Sequence, residues 1–547
     1  MQKTDSITLT ILNKSLENIA EEMGLALMRT GYSPNIKERR DFSTAIFNGE
    51  GELVAQAEHI PVHLGAMSLS VQEGLKRFSG SFAPGDVLIH NDPFLGGTHL
   101  PDITLIAPLF IEDRNEPIFF IANRAHHADV GGSVAGSMPG ATTEIFQEGL
   151  VIPPIKLYDQ GEEVRDVMSL ILANVRTAWE RKGDLRAQRA AINVGITRIK
   201  ELVNKIGVEE TKFYEKQLMD ISEQATREEL RRLKQGIFTF TDYMDSDGFG
   251  SDPIKIQTSI TLHEDGAKID FAGTAPQSKG NINATKGVAI SCVYYVFRAI
   301  TDPNIPTNQG CFKPLQIFIP EGSLLNPRWP AACSSGNVET SQRIVDVLMG
   351  ALAQASEIVP AASQGTMNNI TIGGSQFTYY ETIGGGMGGR PGKDGIDGVH
   401  CHMTNTKNTP IEAFELAYPL QIEYYGLVPN SGGVGEFRGG LGIRRDVRVL
   451  ESAVVSIQSE RRRLAPWGLK GGLEGKQGEN WIVKSTGERK KLPEKITIEV
   501  EMNDLIQIIT PGGGGWGDPN KRDILSHEKD RREGKITLKS NKTLKLP

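Results

Sequence analysis

The sequence predicts an α+β protein: a multi-segment β-rich core, an inserted region of long helices and a Gly-rich C-terminal β region. Three observations carry this. Between residue 42 and about residue 160, short apolar runs (FSTAIFN, GDVLIHND, DITLIAPLFI, PIFFIANRAH) are punctuated by Gly and Pro, the texture of strands joined by turns. Residues 163–235 contain no proline and are rich in Glu, Lys, Arg, Leu and Ala, which predicts two or three long helices. The chain carries 60 glycines among 547 residues and only 7% aromatics, and after Ser356 it is Gly-rich, so many turns and close backbone approaches are expected there.

In chain order, residues 7–29 place Ile11, Leu12, Leu16, Ile19, Met23 and Leu27 at helical spacing and predict an amphipathic helix. Past Gly236, IKIQTSITLHEDGAKIDFAG alternates around Asp265-Gly266 and reads as a hairpin. Residues 341–356 form a helix with an apolar face at Ile344, Val345, Leu348 and Leu352. Strands are expected near 419–428, 443–457 and 496–510. The organisation is therefore 1–160 (helix plus β-rich site region), 161–236 (helical), 237–519 (Gly-rich α+β) and 520–547, a basic extension on the surface or against a partner.

Composition excludes some functions. A net charge of −7 supplies no basic field for nucleic acid or an anionic membrane. No apolar run approaches the roughly 18 residues of a membrane span, and the first residues lack the apolar stretch of a signal peptide. Cys292, Cys311, Cys333 and Cys401 lie far apart, which argues against a disulfide framework or a zinc ribbon. A cytoplasmic, soluble protein is expected.

Nucleotide motifs are missing. GGLEGKQ at 471 and GGRPGKD at 388 lack the hydroxyl residue after Lys and the glycine spacing of a phosphate loop. Ser334-Ser335-Gly336 and Ser431-Gly-Gly are not nucleophile elbows. Arg461-Arg462-Arg463 is either an anion contact or an ion-paired loop.

The sharpest signal is His99-Leu-Pro-Asp102 with His126-His127-Ala-Asp129. The two groups flank a hairpin whose turn is centred near Arg114. Paired positions then sum to about 229, which sets Asp102 opposite His127 and gathers all five residues at the open end. Such a shell suits Mn²⁺, Zn²⁺ or Fe²⁺; a structural His–carboxylate pair is the plainer alternative. Asp41 is a second candidate, with a salt-bridged loop as its alternative. His59 and His63, separated by Pro61, read as site-lining or structural.

Seven segments together resemble the hydantoinase B family: NDPFLGGTHLPDITLIAPLF, NRAHHADVGGSVAGSMPG, GNVETSQRIVDVLMGALAQAS, ETIGGGMGGRPGKDGIDGVHCHMTNTKNTPIE, NSGGVGEFRGGLG, ERRRLAPWGLKGGLEG and PGGGGWGDP. This family comprises B-type subunits of ATP-dependent N-methylhydantoinase-like enzymes. It is similar to the C-terminal half of 5-oxoprolinase and to the metal-carrying subunits of acetone and acetophenone carboxylases. The resemblance runs from about Ile7 to Pro519 and implies a metal site on His99, Asp102 and His126 with Asp41 as the remaining ligand. His127 and Asp129 become acid/base candidates. It also implies a hydantoinase A-type partner that binds ATP and Mg²⁺, in a heterotetramer. The expected activity is ATP-dependent opening of a hydantoin, 5-oxoproline or lactam, with metal-activated water attacking a carbonyl phosphorylated in the partner. The rivals are a ketone carboxylase subunit and a non-catalytic scaffold for the ATPase.

Overall fold

The computed structural model describes residues 5–537 apart from residues 58, 112, 113, 251 and 375. Four sheets and their packed helices make an α+β architecture. The first sheet has seven strands in the order Leu53–Gln56, Phe42–Asn48, Phe119–His126, Asp102–Leu109, Val87–His90, Ile155–Asp159 and Glu162–Glu163, with every neighbour antiparallel. Its central strands are buried along their whole length because both faces are covered. Successive strand residues point to opposite faces. Ile103, Leu105, Ala107, Ile121 and Ala125 therefore meet the helices Ser6–Thr30 and Ala178–Ile206 in one core. Ile106, Phe120 and Ala122 share another core with the helix Leu64–Arg77.

The first helix begins where the Asp5 carboxylate accepts from the N–H groups of Ile7 and Thr8, satisfying two of its unbonded donors. Leu12, Leu16, Ile19, Met23 and Leu27 are buried, as their spacing predicts; Ile11 lies outside that stripe and is exposed. The helix-rich stretch resolves into Arg165–Ala173, Ala178–Ile206 and Val208–Arg232, the last two separated at Gly207.

A second, four-stranded sheet joins Gly236–Met244, Ile254–His263, Gly266–Asp270 and Leu315–Phe318. Here His263 pairs with Gly266, so the turn is Glu264-Asp265 and not Asp265-Gly266. Glycine is needed at 266 for another reason: a Cβ there would stand 2.2 Å from the Pro314 carbonyl oxygen. The helix Ser341–Leu352 is buried on every side, not along one stripe. Its polar side is satisfied by ion pairs: Arg461 meets Asp242 and Asp346 at 2.8 and 2.5 Å, and Arg343 meets Asp242 and Glu460 at 3.4 Å each. Arg461 and Arg462 of the arginine run are thus internal structure, while Arg463 is exposed.

The remaining two sheets join Thr378–Glu381, Asn369–Gly373, Ala453–Gln458 and Lys495–Val500, and Leu420–Leu427, Ile443–Val449, Leu505–Ile509, Glu479–Val483 and Arg489–Leu492. Between them, Gly512–Gly517 threads among other glycine segments. Gly513 donates to the Gly440 carbonyl, Gly514 to that of Ala362 and Gly515 to that of Leu473. After residue 519, the helix Ile524–Arg532 folds back onto this region through Arg522–Asp394, Arg438–Asp530 and Lys535–Asp397. Residues 538–547 of the expected basic extension lie outside the described residues. All four cysteines are buried and free. Among the described residues no helix is long and apolar enough to cross a membrane.

Burial also sets a pH limit. Chiefly by desolvation, the imidazole pKa falls from 6.5 to about 3 at His90 and to about 4 at His59, His127 and His400. Below about pH 6.5 the unfolded chain takes up protons at these positions that the native chain refuses. Stability therefore falls as the pH drops from about 6.5 towards 4. Thermal melts at pH 7, 6 and 5 should show a steadily falling Tm; a Tm flat across that range would contradict this.

Candidate metal centre

The hairpin of Asp102–Leu109 and Phe119–His126 has paired positions summing to 228, one less than the spacing suggested. Asp102 consequently faces His126. Directly paired residues present their side chains to the same face, so both enter one pocket. His127 follows the opposite parity, that of Asn123 and Ala125, and reaches the helix Ala178–Ile206, where its Nε2 meets Gln188 Oε1 at 2.9 Å. Asp129 is committed elsewhere as well: it accepts from the N–H groups of Gly131, Gly136 and Arg176 and pairs with the Arg176 guanidinium at 3.0 Å. The structure therefore does not bring His127 and Asp129 to the cluster.

His99 arrives from the loop before Asp102. Its Nε2 lies 3.1 Å from Asp102 Oδ1 and 3.1 Å from His126 Nδ1, and His126 Nδ1 lies 3.2 Å from Asp102 Oδ1. Cis donors on an octahedral ion stand about 2.8–3.1 Å apart and those on tetrahedral zinc about 3.3–3.6 Å, from bond lengths of about 2.0–2.2 Å. Two imidazole nitrogens and a carboxylate oxygen thus stand at the spacing of a coordination shell. Their protonation fits too. Burial alone would raise the Asp102 pKa, but the charges of His99 and His63 and hydrogen bonds from His126 and His63 hold it well below the usual carboxylate range. Burial lowers the His126 pKa and keeps the ring neutral, against the pull of Asp102 and Asp41. A carboxylate at Asp102 and a neutral ring at His126 are states that a cation requires.

The surroundings orient each donor. His99 Nδ1 stands 3.4 Å from the Ser334 carbonyl, which leaves Nε2 for the cluster. His126 stacks on Tyr380 with centroids 4.1 Å apart. Asp102 divides its oxygens: Oδ1 faces the two imidazoles, while Oδ2 faces Thr98 Oγ1 at 2.5 Å, His63 Nε2 at 3.3 Å and Asn337 Nδ2 at 3.4 Å. Asn337 sits in a single π-helical turn, Gly336–Thr340, a distortion frequent at functional sites. His63 Nδ1 lies 2.9 Å from the Ser43 hydroxyl, whose oxygen accepts from the Ile60 N–H. The Asp102 carboxylate only accepts, so His63 Nε2–H donates to it, and in the neutral ring Nδ1 then accepts from the Ser43 hydroxyl.

Asp41, His63, Asp102, His126, Asn337 and Tyr380 line one cavity of about 20 Å³, room for a single ion or water. Asp41 lies outside the tight group formed by His99, Asp102 and His126, and its carboxylate is 3.9 Å from the Arg39 guanidinium. His59 is apart from the cluster, edge-on to Phe42. A second cavity of about 310 Å³ shares the wall residues Ile60 and His63. Another cleft, of about 810 Å³, is lined by Glu50, Glu52, Lys212 and Glu215 and holds none of these residues. Thr98, Asn337, Tyr380 and Ser334 were not legible as site residues in the sequence. The polar residues Asn337, Glu339 and Thr340 leading into the apolar helix that starts at Ser341 were the one available signal.

The family described as hydantoinase B/oxoprolinase matches residues 5–519. An uncharacterised protein of Methanocaldococcus jannaschii is 45% identical, over 98% of this chain and 95% of its own length. A putative B-type D-/L-hydantoinase subunit from a Pseudomonas species is 33% identical, over 98% and 94%. Arabidopsis thaliana 5-oxoprolinase 1 is 42% identical over 94% of this chain, which spans only 42% of that longer protein. Among solved structures, the ATP-dependent caprolactamase of Pseudomonas jessenii superposes with a TM-score of 0.92 at 27% identity, over 98% of this chain and 95% of its own. A nucleotide-free acetone carboxylase shares the fold, with a TM-score of 0.90 at 19% identity, over 98% and 79%. The chain belongs to the hydantoinase B/oxoprolinase family.

Proposed function

We propose that this chain is the metal-holding subunit of an ATP-dependent cyclic amidohydrolase that opens a hydantoin, 5-oxoproline or lactam ring. The observation carrying the reading is the triangle of His99 Nε2, Asp102 Oδ1 and His126 Nδ1, with edges of 3.1–3.2 Å. Relatives named for hydantoins, 5-oxoproline and caprolactam support the substrate class. On this reading ATP and Mg²⁺ belong to an A-type partner in a heterotetramer, and the subunit-B name of the Pseudomonas relative supports a partner. A divalent transition ion (Mn²⁺, Zn²⁺ or Fe²⁺) held by the triangle, with Asp41 from the cavity wall as a further donor, would polarise a carbonyl or make water acidic enough to ionise near neutral pH.

The other residues hold and move. Thr98 and Asn337 anchor Asp102 through Oδ2 and keep Oδ1 turned to the imidazoles. We assign proton transfer to His63 in place of His127 and Asp129, because His63 lines both cavities and presents Nε2 at the site. Ile60, Val62, Met367 and Met403 wall the small cavity with apolar surface and keep bulk water out.

The test is ADP release by the chain co-purified with its A-type partner, offered hydantoins, 5-oxoproline, lactams and ketones with and without bicarbonate. Stimulation by a cyclic amide without bicarbonate is expected. Ketone stimulation that requires bicarbonate would replace this reading with the carboxylase.

A further inference from the structure

The cavity of about 310 Å³ beside the metal centre is lined by Gln56, His59, His63, Tyr295, Asn405 and Arg298, with apolar side chains between them. Its size suits a small ring with a substituent. Among the described residues lining it there is no Asp or Glu, and Arg298 is its one Arg or Lys. The guanidinium is fastened from behind entirely by neutral oxygens. Nε stands 3.4 Å from Thr307 Oγ1, Nη1 stands 3.0 Å from Thr301 Oγ1 and 3.3 Å from the Asp302 carbonyl, and Nη2 donates to the Ile305 carbonyl at 3.0 Å. An arginine has five N–H donors; these contacts account for four, leaving one on Nη2. Neutral acceptors orient the fork without cancelling its charge. Arg343 and Arg461, deeper in the fold, are by contrast each met by carboxylates.

We infer that this cavity is the substrate subsite and that Arg298 binds a carboxylate on the substrate, so the chain selects a cyclic amide bearing an acid group over an uncharged lactam. Rigid, half-buried and without a partner carboxylate, Arg298 is prepared for a charge-assisted hydrogen bond to an anion. The shared wall of Ile60 and His63 then sets the ring between the anchored acid and the metal cavity. The inference rests on the cyclic-amide reading for its substrate class.

The experiment is isothermal titration of the full chain, Mn²⁺-loaded and co-purified with its partner, with 5-oxoproline and with 5-oxoprolinamide, which differ only in the charge of the substituent. The wild type should bind the acid at least about tenfold more tightly than the amide, the scale of one charge-assisted contact. Arg298→Met should collapse that ratio to near one, and Arg298→Lys should restore part of it. Because Arg298 also steadies residues 301–307, Asn405→Asp provides a second test. It leaves those bonds alone, adds a competing anion to the exposed rim of the cavity and should lower the ratio likewise. Equal affinity of the wild type for acid and amide, or a preference that survives both variants, would overturn the inference. Preferential binding of the acid without ADP release would leave Arg298 as the anchor and sink the amidohydrolase reading instead.

Discussion

Replacing His99 with alanine should strip the site of its ion while leaving the chain folded. His99 Nε2 is one vertex of a triangle whose other vertices come from a single strand pair. A four-ligand site worth about 10–16 kcal/mol loses about 3 kcal/mol with one ligand, on the order of a hundredfold in affinity. Metal content measured by mass spectrometry after dialysis should fall to a small fraction of the wild-type stoichiometry, and ADP release should fall with it. His127→Ala provides the contrast. It removes a buried ring bonded to Gln188 on the other face of the sheet, so it should lower Tm and retain the ion. Full metal retention in His99→Ala would remove His99 from the donor set. Loss of metal in both variants to the same degree would point to general destabilisation.

The second large effect is expected at Gly513. A Cβ there would lie 2.1 Å from the Met387 carbonyl oxygen, 2.4 Å from its carbon and 2.8 Å from the Gly388 nitrogen, and every obstacle is backbone. Gly439 closes the other side, since its own Cβ would reach the Gly513 oxygen at 1.9 Å. No side chain can swing aside, so the backbone segments themselves must separate, and hydrogen bonds such as Gly513 to Gly440 break with them. Gly513→Ala should cost about 4 kcal/mol or more, beyond ordinary overpacking. Gly487→Ala is the calibrating variant: it sits at φ +88° with open space around it and should cost only about 1–2 kcal/mol of left-handed strain. Urea midpoints for the two distinguish them; a Gly513→Ala chain within about 1 kcal/mol of wild type would show that the glycine segments can part cheaply.

How much of this was legible depended on the range of the interaction. Helix 6–30, the long helices after 163 and the 102–126 hairpin follow from local periodicity, and they emerged from it. His99, Asp102 and His126 could be gathered because only one turn separates them. The turn's centre was the weak point. A shift of one position in the pairing sum exchanges His126 for His127, because neighbouring strand residues face opposite ways. Asn337 and Tyr380 could not be placed. They reach Asp102 and His126 from more than 200 residues away, through a π turn and another sheet, and no spacing rule spans that distance. Arg461 posed the same difficulty: the run could be read as an anion contact or an ion-paired loop, and its partners, Asp242 and Asp346, lie more than 100 residues away.

The divided carboxylate of Asp102 has a consequence for the isosteric change to asparagine. A carboxylate is symmetric, but an amide must choose which end carries its hydrogens. Thr98, His63 and Asn337 all offer hydrogens towards one side, so that side demands the amide's oxygen. The NH₂ end is forced to the other, against His99 Nε2 and His126 Nδ1. The substitution would therefore do more than remove a charge: the side chain would satisfy both imidazoles itself and become a built-in competitor for the place it once helped to offer.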